Sequence, residues 1–168
     1  RATVAVMGQM MYDINNGSSG WKTDPRTRSI IAKSEEDMVK EQDEWGRDLI
    51  TVFQTSDAPA YQAIYDGQGS VGGTSVDWVA IVNKGGTTLC RLGFKLENGT
   101  LACKEFPGET PVGEGLIEEI FESFSEVGGI KFPSASVRNM NGQKFAKLSL
   151  TDLAVNPEVP VGAFEKPQ

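Results

Sequence analysis

The chain lacks histidine altogether among its 168 residues. With no imidazole, histidine-based triads, Cys–His pairs, His-ligated zinc and histidine pH switching are all excluded. Cysteine is almost as scarce. Cys90 and Cys103 are the two present, too few for a cysteine-rich metal site or a scaffold of several disulfides. No apolar run approaches the ~20 residues of a membrane-spanning helix. Positive charge is in the minority, with 16 Lys+Arg against 23 Asp+Glu, a formal net charge of −7 and a sequence pI near 4.7. A nucleic-acid footprint needs clustered positive charge, and anionic headgroups repel an acidic surface, so both partners are disfavoured. The expectation left by these absences is a protein that is not an enzyme and uses no metal or cofactor.

What the chain does have is glycine, 19 residues, placed as punctuation between short apolar runs. The length suits one domain, residues 1–168, with a core that needs no staples. Residues 2–14 read as extended chain with Gly8 as a bulge. Asn15–Gly20 is a turn cluster, and Asp24-Pro25 turns the chain between short extended pieces. Ser34 followed by Glu35, Glu36 and Asp37 is a helix start, with a capping hydroxyl and acids at the positive end of the dipole. Met38, Trp45, Leu49, Val52 and Phe53 then make one apolar stripe, which predicts a single long amphipathic helix over 34–53. Asp57–Ala60 reads as a loop.

Beyond Tyr61 the pattern turns to strands separated by glycine-rich turns. A Gly85-Gly86 turn pairs Val79 with Leu92 and Ile81 with Cys90. A two-residue turn at Asn98-Gly99 pairs Leu96 with Leu101 and Phe94 with Cys103. The expected product is an antiparallel meander with Cys90, Leu92, Phe94 and Leu96 on one apolar face and a wet opposite side. In Leu116–Phe124 the apolar spacing favours a helix, because as a strand each face would mix acids with apolar groups. Asn141-Gly142 joins two further strands, with Ala146, Leu148 and Leu150 inward.

Few motifs carry chemistry. Gly67–Gly72 matches G-x-G-x-x-G, but a strand follows it where a dinucleotide site needs a helix, so it reads as a β-turn. Glu35-Glu36 and Glu118-Glu119 read as solvated charge rather than a glycosidase pair. The Asn-Gly register keeps Cys90 and Cys103 too far apart to bridge, which predicts two buried free thiols.

The order of motifs resembles a LolA-like, outer-membrane lipoprotein-sorting domain. Tyr12, Gly17, Gly20-Trp21, Asp24-Pro25 and the Ser-initiated helix ending in Arg47-Asp48-Leu49 follow its middle. Its tail is matched by Val127–Pro133, Asn141-Gly142, Val155-Asn156-Pro157 and Ala163–Pro167. Similar tails occur in non-catalytic C-terminal extensions of bacterial insulinase-type zinc peptidases. The resemblance implies a mainly β (α+β) fold, a half-open antiparallel barrel with the long helix on its concave face. It also implies a strand at Leu116–Phe124. The family's opening helix and first strands are not matched before Arg1, so the chain is expected to be a trimmed portion of a longer one. No arginine here is matched to the one that gates the LolA cavity.

The implied function is noncovalent binding or transport of a lipid, acyl chain or acylated protein in the periplasm. Met38, Trp45, Leu49 and Phe53 from the helix, and Leu92, Phe94, Leu96 and Leu101 from the sheet, are the expected cavity lining. The alternative is a filled-core interaction module, appended to a peptidase-like protein, that binds another chain. Residues alone leave these two open, because a sheet facing a helix is a core when filled and a cavity when partly covered.

Overall fold

The computed structural model describes residues 2–6, 8–54, 61–110 and 113–167; the loop expected at Asp57–Ala60 lies outside them. The chain divides into two compact units, Arg1–Asp43 with Pro157–Gln168, and Glu44–Asn156.

The first unit holds a four-stranded antiparallel meander of β1 (Ala2–Val6), β2 (Gln9–Asn15), β3 (Gly20–Thr23) and β4 (Ile30–Ala32). Residues 2–14 are therefore a hairpin rather than one bulged strand: Val6 pairs with Gln9, and Gly8 turns the chain at φ 77°. The two turn clusters are built by side chains. Asn15 Oδ1 accepts the Gly17 amide at 2.7 Å, and Asp24 Oδ1 accepts the Arg26 and Thr27 amides at 2.7 and 2.8 Å. Helix α1 (Glu35–Gly46) starts where the sequence places it. Ser34 Oγ accepts the Asp37 amide at 3.1 Å, and Asp37 Oδ2 accepts the Ser34 amide at 3.0 Å, a reciprocal cap. Lys33, its side chain almost buried, reaches Asp13 at 2.5 Å and Glu41 at 2.7 Å, tying the helix to the sheet.

The second unit begins with the end of α1 and a second helix, α2 (Leu49–Gln54). The predicted single helix over 34–53 is thus two short ones. The first ends at Gly46, where a Cβ would meet Leu89 Cδ1 at 2.7 Å and Tyr61 at 3.1 Å. Asp48 starts the second, its Oδ1 accepting the Ile50 amide at 2.9 Å. The break also ends the apolar stripe. Leu49 and Val52 are buried, whereas Trp45 and Phe53 are exposed.

Seven strands follow: β5 (Tyr61–Val71), β6 (Thr74–Asn83), β7 (Thr88–Lys95), β8 (Leu101–Thr110), β9 (Gly113–Val127), β10 (Ile130–Met140) and β11 (Gln143–Ser149). They form one antiparallel sheet in sequence order, open at β5 and β11, so the expected half-barrel is an open sheet and not a closed one. The Gly-Gly register holds, with Val79 opposite Leu92 and Ile81 opposite Cys90. The Asn-Gly register does not. Thr100 O accepts the Lys95 amide at 2.8 Å, so four residues form the loop and Leu96 leaves the strand. A bulge at Gly93/Phe94 then sets Phe94 opposite Leu101 and Gly93 opposite Cys103. Leu116–Phe124 is strand within β9, as the resemblance implies and against its periodicity.

The sheet is not wet on one side. One face carries Ile81, Cys90, Leu92, Phe106, Ile117 and Met140, covered by Leu49 and Val52 of α2. A smaller cluster gathers Val71, Val76, Trp78, Ala102 and Cys103, with Ile120 against it. The Arg91 guanidinium lies 4.4 Å above the Trp78 ring. Gly93 makes the second cluster fit, since a Cβ there would meet Cys103 Sγ at 2.5 Å.

Candidate functional site

The ladder registers of three neighbouring strands place three charges side by side. Leu92 faces Lys104, Lys104 faces Glu119, and Glu119 faces Arg138. In strands, residues directly opposite share a face and come within side-chain reach. Lys104, Glu119 and Arg138 therefore form a cation–anion–cation row across β8, β9 and β10, on the face that α2 partly covers. Glu119 is 6% exposed. Its carboxylate accepts Ser136 Oγ–H at 2.8 Å and Arg138 Nη2–H at 3.3 Å, with Lys104 Nζ at 3.5 Å. Burial resists its ionisation, but Lys104, the Ser136 hydroxyl and Arg138 outweigh that and hold its pKa below the ordinary value. Glu119 is thus a buried, ion-paired carboxylate and not the solvated charge expected from the Glu118-Glu119 pair.

Phe106 sits beneath these cations. Lys104 Nζ and Arg47 Cζ each lie 5.0 Å from its ring centroid, and Arg138 Cζ lies at 5.8 Å. Arg47 Nη1 also donates to Pro107 O at 3.1 Å, fixing the turn between the helices over β8.

Beside the row lies a pocket of about 160 Å³. Its apolar wall is Leu49, Phe121, Phe132, Pro133, Ala135, Leu148 and Leu150. Asp48, Lys104, Glu119, Ser134, Ser136 and Arg138 supply its polar side. A mixed surface of this kind can grip an apolar group and orient a polar one. Among the described residues, no group of three or more His, Cys, Asp or Glu is placed to hold a metal ion.

The sequence-predicted lining residues are divided. Leu49, Leu92, Phe94 and Leu101 meet in one cluster on the α2 side of the sheet, and Leu49 also lines the pocket. Trp45, Phe53 and Leu96 are exposed. Met38 belongs to the first unit, its Sδ 3.0 Å from where a Gly20 Cβ would stand. The sequence reading missed Lys104, Glu119, Ser136 and Arg138. The signal available was the strand alternation itself, which sets Glu119 on the face of Ile117 and Phe121. The G-x-G-x-x-G stretch is a β-bulge and hairpin, with Val71 opposite Thr74 across Gly72-Gly73.

No family model matches the chain, and no curated protein sequence matches it. Solved structures do resemble it. A LolA superfamily protein from Nitrosomonas europaea is 13% identical, with a TM-score of 0.55 over 95% of this chain and 71% of that one. A DUF1329 family protein from Desulfovibrio piger is 10% identical, with a TM-score of 0.53 over 93% of this chain and 68% of that one. The fold is LolA-like, as the motif order implies.

Proposed function

From the LolA-like fold and this pocket, we propose that the protein noncovalently binds or carries a lipid or acyl chain, in the periplasm or another extracytoplasmic compartment. The observation that carries the reading is the apolar-walled pocket of about 160 Å³ beside the α2-covered core. A cavity near 150 Å³ lined by aliphatic and aromatic groups holds about one benzene ring. This one therefore suits the end of a single chain, with the rest of a longer ligand lying outside it. Leu49 is the predicted lining residue that supports the reading directly; the exposed Trp45 and Phe53 offer further apolar surface. Among the described residues, no helix is long and apolar enough to cross a membrane.

The alternative, a non-catalytic interaction module, draws on one observation. Among the described residues β5 is an edge strand paired with β6 alone, and it presents Ile64 and Tyr65 to solvent.

Saturation-transfer NMR with 1-octanol separates the two. The carrier reading expects transfer to the alkyl protons, lost in Ala135→Phe, which fills the pocket while the protein stays folded. Absence of transfer to the wild type would leave the interaction module standing.

A further inference from the structure

Resting on that reading, we infer that the pocket's ligand is a single-chain amphiphile with an anionic head, received by Lys104 and Arg138, its chain running along Phe121, Phe132 and Leu148. The argument is a count of donors. An ammonium carries three N–H donors and a guanidinium five. Among the described residues, the acceptors of Lys104 are distant, Arg47 O at 3.4 Å and Glu119 Oε2 at 3.5 Å. Arg138 reaches Glu119 through Nη2 at 3.3 Å, while its buried Nε lies 3.3 Å from Glu119 Oε1 as an ion pair without forming a hydrogen bond among the described residues. One carboxylate is thus shared by two cations and saturates neither. The other acid on the lining, Asp48, caps α2, its Oδ1 accepting the Ile50 and Thr51 amides.

Glu119 has a separate role. Lys104 and Arg138, both beside the Phe106 ring, would repel each other across the row. A carboxylate between them holds both in place at the pocket wall, as a positioning residue rather than a ligand contact. An incoming anion would sit against the two cations of the row on the side away from Glu119. The remaining wall is apolar, so the head has one polar end to occupy and the chain has one direction to run.

The test compares octanoate with 1-octanol, which share a chain and differ in the head, by NMR titration of the full chain. Hydrogen bonds to a charged group are the stronger kind, so octanoate should bind at least about tenfold more tightly than octanol. In Arg138→Gln that ratio should fall towards one, and in Arg138→Lys it should recover in part; near-UV circular dichroism verifies the fold of each. Equal affinity for the two ligands in the wild type overturns the anionic head and leaves the carrier reading intact. An undiminished ratio in a folded Arg138→Gln does the same. Binding of neither ligand overturns the carrier reading itself.

Discussion

Cys90 and Cys103 show how one residue type takes two environments in adjoining strands. Cys90 packs with Ile81 and Leu92 under α2, whereas Cys103 packs with Trp78 in the second cluster, filling the space that Gly93 leaves. Both are free. Burial pushes their thiols up from 9.0, to about 11 and about 12 respectively. The folded state therefore favours the neutral thiols. The stability this gives is complete below 9.0 and is lost as the pH rises through about 11 and 12. A thiol reagent at neutral pH should leave the native protein unlabelled and label both sites once guanidinium unfolds it. Prompt native labelling, or an unreduced mass short by two hydrogens, would contradict this placement. The free thiols were legible in the sequence, but through a register that does not form; it is the opposite clusters that separate them. Glu119 was less legible. Adjacent acids look like a solvated pair on a helix, yet in a strand neighbouring side chains point to opposite faces, so one of Glu118 and Glu119 had to turn inward.

At the level of elements, strong local chemistry was readable and breaks were not. Ser34 caps α1 because its hydroxyl, its amide and the Asp37 carboxylate satisfy one another within four residues. Ser34→Ala should cost about 0.5–2 kcal/mol in a urea melt. Lys22, then the Ser34 amide and hydroxyl, hold the Asp37 carboxyl down to about 2 from 3.8. Its contribution is complete above 3.8 and disappears as the pH falls through about 2, so Asp37→Asn should flatten the stability profile across that window. A profile as steep as the wild type's would mean that the Lys22 contact does not persist in solution. The close packing at Gly46 was hidden because its partners, Leu89 and Tyr61, are distant in sequence. The sequence did contain a stop and a start there, Gly46 and Asp48, which the continuous apolar stripe overrode. The Asn98-Gly99 loop failed for a related reason. A two-residue turn was the strongest local signal, but the bulge at Gly93/Phe94 and the longer loop together seat Trp78, Gly93 and Cys103 in one row.

Across the whole molecule, every paired strand is a neighbour in sequence, in both sheets. Such hairpin-by-hairpin topology needs few long loop closures, which makes each unit a candidate for independent folding. The second unit, Glu44–Asn156, contains both apolar clusters of the seven-stranded sheet. It also contains the whole Lys104–Glu119–Arg138 row and every residue lining the pocket. A fragment covering 44–156 should therefore unfold in one cooperative urea transition. Its near-UV signal should retain the Trp78 contribution, because that ring is held by Cys103 and Arg91 from within the same unit. Octanol should still show saturation transfer to the fragment, since the pocket comes with it. A broad transition with strong binding of a hydrophobic dye would show that the clusters need the first unit to pack, and that the cooperative fold extends over the chain as a whole.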